Sequence, residues 1–450
     1  MIHAETRPTH NLRRFVRQAA TGRLVGYPVA YASILAAARV LPPAQLGVFV
    51  LGFSLSGLGT IVGMGGTREA PYRLLARVGF DNFTDVTRSL HLRAAGFAVP
   101  AALGTAIALL KWPVHGGGAS VSLAAAAIPA GALVAVRSIQ SVAAESLRAV
   151  GEVRVAAMFG VDPSEGAVVY LVFLIAIASL WIVSGIARSG ISGATLLWLL
   201  LFAHVVTTAV AESILVRYAN SPRLHTLASV PYLDSETRAK SELRPFKYLF
   251  THDVSAYAMG NLDLWFLGLI AGPAQFGAYG VLSRIAAGCL APGLILRAAS
   301  VPLVASDVLC TGGLSARLAR SFRRATAGAT VVAVAFGLGL VALLKVGIPL
   351  LPPHVTVLAF AVLPLLFAGG VMTTAAGPTS LVLIAGQRER DVAVAIFTVL
   401  ACGAAIGWIL VQHFGAVGAA TLSCLMYSAQ SVWLARRTRR VFGLTVGVFG

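Results

Sequence analysis

Two opposite charges lie deep inside apolar stretches of this 450-residue chain, Asp263 and Arg284. A charge in hydrocarbon is costly and persists where it meets a partner or lines a wet cavity. The apolar segment holding Asp263 ends near Ile270 and the next begins near Phe276. At 1.5 Å per residue the two groups then lie roughly 10 and 12 Å below the shared turn, at similar depth. Two kinds of chemistry suit them. One is a structural ion pair that locks neighbouring helices. The other is a cavity pair that binds a phosphate, or opens when one arrives, because the planar guanidinium fork donates two parallel hydrogen bonds. Asp253, Tyr257 and Asn261 share a helical face with the spacing i, i+4, i+8 on the segment of Asp263. Arg23, Tyr27 and Tyr31 repeat that spacing near the start of the chain. Each trio fits a polar stripe facing a cavity, or interfacial anchoring near the membrane surface.

Further polar groups interrupt apolar segments. Arg137, Ser141 and Glu145 line one face of a fourth segment, Glu212 lies low in a sixth, and Arg297 low in an eighth. Arg68 and Glu69 end the second. Each suits a contact between helices or with the interface. Arg137, Glu145, Glu212 and Arg297 also suit a gate or coupling role, and a protonatable Glu145 or Glu212 would tie movement to protons. Other chemistry lacks its residues. The nine histidines are scattered, and Cys289, Cys310, Cys402 and Cys424 do not pair by spacing. No metal, disulfide or cofactor is predicted. There is no G-x-x-x-x-G-K-[ST], G-x-S-x-G or H-E-x-x-H motif, so no ATP hydrolysis and no enzyme is expected. Gly63-Met64-Gly65-Gly66 reads as flexible backbone at a helix end.

The elements that must position these residues are membrane spans. Mean hydropathy is +0.83, and apolar stretches of about 20 residues, enough to cross a bilayer, recur along the chain. They are placed at 22–41, 45–66, 93–112, 120–145, 165–184, 194–216, 247–270, 276–301, 325–345, 356–384, 392–412 and 417–435. Asp162, Pro163 and Glu165 interrupt the fifth, which would otherwise begin nearer Val155, and Pro364 and Pro378 predict a kink in the tenth. The gaps alternate in charge. One set carries Arg7 to Arg23, Arg68 to Arg93, Arg137 to Arg154, Arg217 to Lys247, Arg297 to Arg324, Arg388/Arg390 and Arg436 to Arg440; the other carries only Arg39, Lys111, Arg188 and Lys345. The basic side is read as cytoplasmic, with both termini inside. This topology accounts for the net charge of +18 without nucleic acid. The short outer loops contain no Asp or Glu, which argues against acid–base chemistry there. The first 23 residues are basic and broken, unlike a cleavable signal, and residues 11–20 form an amphipathic helix suited to the cytoplasmic interface.

The chain also repeats itself. Pro43-Ala44-Gln45-Leu46-Gly47-Val48-Phe49 returns 230 residues later as Pro273-Ala274-Gln275-Phe276-Gly277-Ala278-Tyr279. The same offset pairs Thr21 with Thr251, Arg23 with Asp253, and Tyr27 with Tyr257. Gly190 to Thr195 is echoed by Gly415 to Thr421, and Leu147 to Glu152 more loosely by Leu383 to Gln387. The reading is an all-α polytopic protein of about twelve spans in two lobes of six, 1–217 and 247–450, joined by a cytoplasmic linker, 218–246. An even number per lobe implies a pseudo-two-fold axis along the membrane normal, with any pathway at the repeat interface.

Asn261-Leu262-Asp263, Gly268, Pro273 to Tyr279, Ser283-Arg284 and Pro292 resemble the start of the second half in polysaccharide flippases, of the multidrug/oligosaccharidyl-lipid/polysaccharide exporter superfamily. Ala38 to Gly47 is similar to that family's first hairpin turn. The resemblance covers the whole chain in span count and loop pattern. It implies two six-helix lobes in a V, a central cavity lined mainly by helices 1, 2, 7 and 8, and transfer of polyprenyl-pyrophosphate-linked oligosaccharide from the cytoplasmic to the outer leaflet. It further implies the bacterial inner membrane, an anionic lipid-linked sugar substrate, and partners in polysaccharide polymerisation and export. A drug or cation antiporter of the same superfamily is the alternative, and would be expected to rely on cavity carboxylates where this chain is richer in Arg. A membrane-embedded glycosyl polymerase is a third reading, without a catalytic loop to support it.

Overall fold

The computed structural model describes residues 8–67, 71, 83–113, 117–150, 152–161, 166–187, 191–220, 243–311, 314–346, 351–386 and 388–448. Arg68/Glu69, the interruption at 162–165 and residues 221–242 of the linker lie outside them. Among the described residues the regular structure is helical throughout. The helices are α1 (Pro8–Val40), α2 (Pro43–Met64), α3 (Phe83–Leu110), α4 (Gly117–Ala149), α5 (Val153–Phe159), α6 (Ala167–Ala187), α7 (Gly193–Ala219), α8 (Leu243–Met259), α9 (Leu262–Ile270) and α10 (Pro273–Ala286). After a 3-10 turn, Ala287–Leu290, come α11 (Ala291–Thr311), α12 (Ala316–Lys345), α13 (Pro353–Ala376), α14 (Thr379–Ala385) and α15 (Glu389–Phe442).

Nine of these stretches are long and apolar enough to cross a membrane unaided. Val25–Val40 of α1 is a shorter apolar stretch. α8 and α9 share one crossing. α15, at 54 residues, makes two, because Gly415 leaves the helical region with φ 54° and ψ −130°. The chain is thus an all-α polytopic membrane protein with the twelve crossings read from the sequence.

Several predicted spans are broken. The seventh, expected to run unbroken over 247–270, opens at Gly260 and Asn261. Glycine is a poor helix former, and a short amide side chain competes with the backbone ladder. Asn261 N–H instead reaches Ala258 O at 3.1 Å, and regular bonding resumes when Trp265 N–H meets Asn261 O at 2.9 Å. The eighth, expected over 276–301, tightens at Ala287–Leu290. Pro292 supplies no N–H, and its ring crowds the carbonyl four residues earlier. Thr374 Oγ1 donates to Cys289 O at 3.0 Å there, as a backbone break inside hydrocarbon requires. The tenth ends its first part at Gly377, φ 70°, before Pro378. α1 is continuous from Pro8, so the amphipathic 11–20 segment runs directly into the first span.

Packing divides the chain into two compact units. The N-terminal unit comprises 24–257 with 271–278. α2 is its interior helix, packed on α3, α4 and α7. Its apolar window is 83% buried, against 28% for α3, so α3 faces lipid. Leu92, Val99, Leu103 and Ile107 form the exposed stripe of α3. At the other end of these helices Phe83, Leu147, Phe159 and Leu215 tie α3, α4, α5 and α7 into one apolar cluster. Gln45 joins three elements: its Nε2 donates to Ser122 Oγ at 2.9 Å, and its Oε1 accepts from Gly193 N–H at 3.0 Å.

The repeat becomes physical at Gly47 and Gly277, the two equivalent glycines. α2 and the first turn of α10 cross there, backbone on backbone. A Cβ on Gly47 would lie 2.3 Å from Pro273 O, and one on Gly277 would lie 2.7 Å from Gly47 N. The two glycines that the offset of 230 pairs in the sequence therefore meet at this crossing.

The C-terminal unit comprises 1–23, 258–270 and 279–450. α13 packs on α12 and α15, and α9 on α15. Phe266 meets Trp408 edge to face, centroids 6.0 Å apart. Arg437 grips Asp391 with two bonds of 3.1 Å and closes the α15 hairpin.

Gly47→Val is predicted to lower the melting temperature of the detergent-purified protein, since overpacking costs about 1–3 kcal/mol. Gly104→Ala, where nothing lies within 4 Å of the new methyl group, is predicted to leave it unchanged.

Candidate polar sites in the two units

In the N-terminal unit the site starts from one face of α4. Arg137, Gln140, Ser141 and Glu145 share it through the i+3/i+4 rule. α2 brings Phe53, Ser56 and Thr60 against it, and the stretch Phe159-Gly160-Val161 after α5 supplies carbonyls freed by the helix end. Gln140 Nε2 donates to Phe159 O at 2.8 Å and to Gly160 O at 3.4 Å. Its Oε1 accepts from His204 Nδ1 at 2.6 Å. Arg137 lies alongside, 5% exposed. Among the described residues its partners are all neutral: Ser56 Oγ at 3.3 Å, Val161 O at 3.4 Å, and the Phe53 ring, whose centroid is 5.3 Å from the guanidinium carbon. Its Nε has no hydrogen-bond partner.

A small cavity opens beside this guanidinium; its wall is mostly apolar, with Ile61, Met64 and Ala144, but also carries Thr60, Arg137, Ser141, Glu145 and Tyr257. Its volume of about 20 Å³ has room for one water-sized group. Tyr257 enters from α8 and donates to Ser54 O at 2.8 Å. Only glycine at 57 admits it, since a Cβ there would sit 1.9 Å from the phenol oxygen. Glu145 shares the cavity wall, but both its oxygens accept from Arg148 Nη1, at 2.8 and 3.0 Å.

The C-terminal unit holds a second constellation. Asp263 is 1% exposed and opens α9. It accepts a hydrogen bond from the Tyr279 hydroxyl, with Ser423 and Tyr427 close by. Arg284 acts on Asp263 through space, and its Nη2 donates to Asn261 Oδ1 at 3.2 Å. The residues Asn261, Asp263 and Arg284 are thus gathered around the α8–α9 break, with tyrosine in the contact where the sequence suggested arginine.

Other candidates fall elsewhere. Asp253 accepts from its neighbour His252 at 2.9 Å. Glu212 meets His91 at 2.8 Å on a partly exposed flank of α7 and α3. Arg297 is half-buried on α11. On α1, Arg23 is 6% exposed and the rings of Tyr27 and Tyr31 stack 5.9 Å apart. Among the described residues no group of three His, Cys, Asp or Glu could hold a metal ion. Sequence reasoning missed Gln140 and His204. The available signal was polarity within a span, with Gln140 three residues beyond Arg137 on the same face.

No protein-family model matches the sequence, and no curated protein matches it. Solved structures do. The MATE multidrug transporter DinF-BH is 17% identical, with a TM-score of 0.65 over 99% of each chain. A MOP-superfamily transporter from Pyrococcus furiosus, titled for the reverse polarity of its binding pocket, is 14% identical, with a TM-score of 0.62 over 97% of this chain and 96% of that one. The lipid II flippase MurJ, inward closed, is 12% identical, with a TM-score of 0.60 over 94% of this chain and 87% of that one. At these identities the fold is what is shared: that of MATE transporters of the MOP superfamily and of MurJ.

Gln140→Leu removes the donor for the Phe159 carbonyl and the acceptor for buried His204. A loss of about 1–3 kcal/mol per orphaned group predicts a clear drop in melting temperature, larger than that of Ser213→Ala on the exposed face of α7.

Proposed function

We propose that this chain is a flippase. It carries polyprenyl-pyrophosphate-linked oligosaccharide from the cytoplasmic to the outer leaflet of a bacterial inner membrane, by alternating access, in the assembly of surface polysaccharide. The observation that carries this reading is how the buried charges are sorted. On the wall of the N-terminal cavity Glu145 is held by Arg148, whereas Arg137 has only neutral acceptors. A wall that offers a guanidinium and withholds its carboxylate favours an anion over a cation. A pyrophosphate headgroup supplies that anion while its polyprenyl tail stays in lipid. The fold is shared with a protein titled a lipid II flippase and with one titled for the reverse polarity of its pocket.

In this mechanism no bond is made or broken. The headgroup enters from the basic side, its charge is met by arginine, and it drives the change of state only by binding one state more tightly than the other. The orientation follows from the basic loops, cytoplasmic by the positive-inside rule. A polymerase and export proteins would take the product on the outer side. The second reading, proton- or sodium-coupled antiport of a drug or cation, draws on Asp263, a buried carboxylate, and on the fold shared with MATE multidrug transporters.

The test is reconstitution in liposomes with fluorescent polyprenyl-pyrophosphate oligosaccharide in one leaflet. Transfer to the other leaflet is predicted to exceed that of protein-free liposomes. A folded protein that transfers none, with or without a proton or sodium gradient, but exchanges cationic dye for protons would replace this reading with antiport.

A further inference from the structure

Arg137 is an expensive residue for its present contacts. A charge removed from water is strongly disfavoured unless a counter-charge and good hydrogen bonds offset it. Here the bonds are long, 3.3 and 3.4 Å, to a hydroxyl and a backbone carbonyl. Guanidinium bonds to carboxylate or phosphate run nearer ~2.7–2.9 Å. The Phe53 face, 5.3 Å from the guanidinium carbon, attracts the cation only weakly beside a true counter-charge.

Bracing the helix break does not require the charge. Gln140, one turn on, holds Phe159 O and Gly160 O with a neutral amide. Glu145 does not neutralise Arg137 either. It lines the same cavity, but Arg148 holds both its oxygens, and among the described residues no ion pair joins it to Arg137. What remains is a buried guanidinium with an unused Nε, on the wall of a cavity large enough for one oxygen-sized group. Hydroxyls surround it. Ser56 and Thr60 donate to carbonyls of their own helix, Phe53 O and Ser56 O. A hydroxyl can turn to a better acceptor.

We infer that Arg137, with Ser141 and Thr60 beside it and Tyr257 across the cavity, forms a phosphate subsite that seats an oxygen of the anionic headgroup. The inference rests on the flippase reading for its substrate and on the geometry for its location. Arriving phosphate replaces the two long neutral bonds of Arg137 with short charged ones. Because one of those bonds ends on Val161 O, occupancy also releases the backbone after α5, and binding is felt at the helix break.

The test uses the full-length protein in detergent with three probes: inorganic pyrophosphate, farnesyl pyrophosphate and farnesol. Wild type is predicted to gain thermal stability with farnesyl pyrophosphate and none with farnesol. Arg137→Gln is predicted to weaken farnesyl pyrophosphate binding at least tenfold, and Arg137→Lys, which keeps charge but loses the fork, by less. Ser141→Glu offers Arg137 an internal counter-charge four residues away. It is predicted to raise the melting temperature and abolish binding together, a split that a purely structural arginine would not give. It also remains informative where Arg137→Gln does not fold. Inorganic pyrophosphate bound as tightly as the farnesyl compound, and through Arg137, supports the subsite and makes the free anion its source. Equal affinity in wild type and Arg137→Gln overturns it, as does Ser141→Glu that binds normally. Binding through Arg137 without any lipid-linked sugar transfer leaves the subsite and removes the flippase reading. Transfer that ignores Arg137 does the reverse.

Discussion

Backbone polar groups inside a bilayer must find partners within the protein, and the helix breaks after α5 and before α11 show how that demand is met. The carbonyl of Cys289, in the 3-10 turn before Pro292, is met by Thr374 from α13. The carbonyls of Phe159 and Gly160 are met by Gln140, and that of Val161 by Arg137. The breaks are thus the places where side chains from other helices are obliged to converge. Both polar constellations lie at such breaks, one after α5 and one between α8 and α9. A broken helix gives buried polar side chains on neighbouring helices, such as Gln140 and Arg137 of α4, backbone acceptors to meet.

The same demand separates a neutral from a charged solution. An amide meets a loose carbonyl at little electrostatic cost, and Gln140 does so while also accepting from His204. A guanidinium meets one only by bringing a desolvated charge with it. The N-terminal unit uses both, side by side, within one turn of α4. The carboxylate on the same cavity wall is treated differently: Glu145 is bound by Arg148. That wall is asymmetric in charge, and the asymmetry, more than the fold, bears on the substrate. The fold itself is shared with proteins titled multidrug transporter and lipid II flippase.

Much of this architecture was legible in the sequence, for physical reasons that also explain the gaps. The spans were visible because bilayer thickness imposes a length. The break at Pro378 was visible because proline removes a donor, whereas the tightening before Pro292 went unread inside a span taken as continuous. The break at Gly260 and Asn261 was not, since neither residue forbids a helix. The repeat identified Gly47 and Gly277 as equivalent but not as touching; contact depends on where two chain segments cross, which an offset of 230 does not encode. Arg137 was visible as a charge in a span. Its neutral surroundings were not, because Ser56 and Val161 lie 81 and 24 residues away. Gln140 and His204, 64 residues apart, escaped for the same reason.

A cavity in the N-terminal unit that selects for negative charge must carry a positive local potential, which can be read directly. With Cys289, Cys310, Cys402 and Cys424 replaced by alanine, Ser141→Cys places one thiol on the cavity wall. Its reaction rates with a sulfonate-bearing and an ammonium-bearing methanethiosulfonate reagent are compared in purified protein. Faster reaction with the anionic reagent is expected, with loss of that preference when Arg137→Gln is added. Faster reaction with the cationic reagent, unchanged by Arg137→Gln, would contradict it.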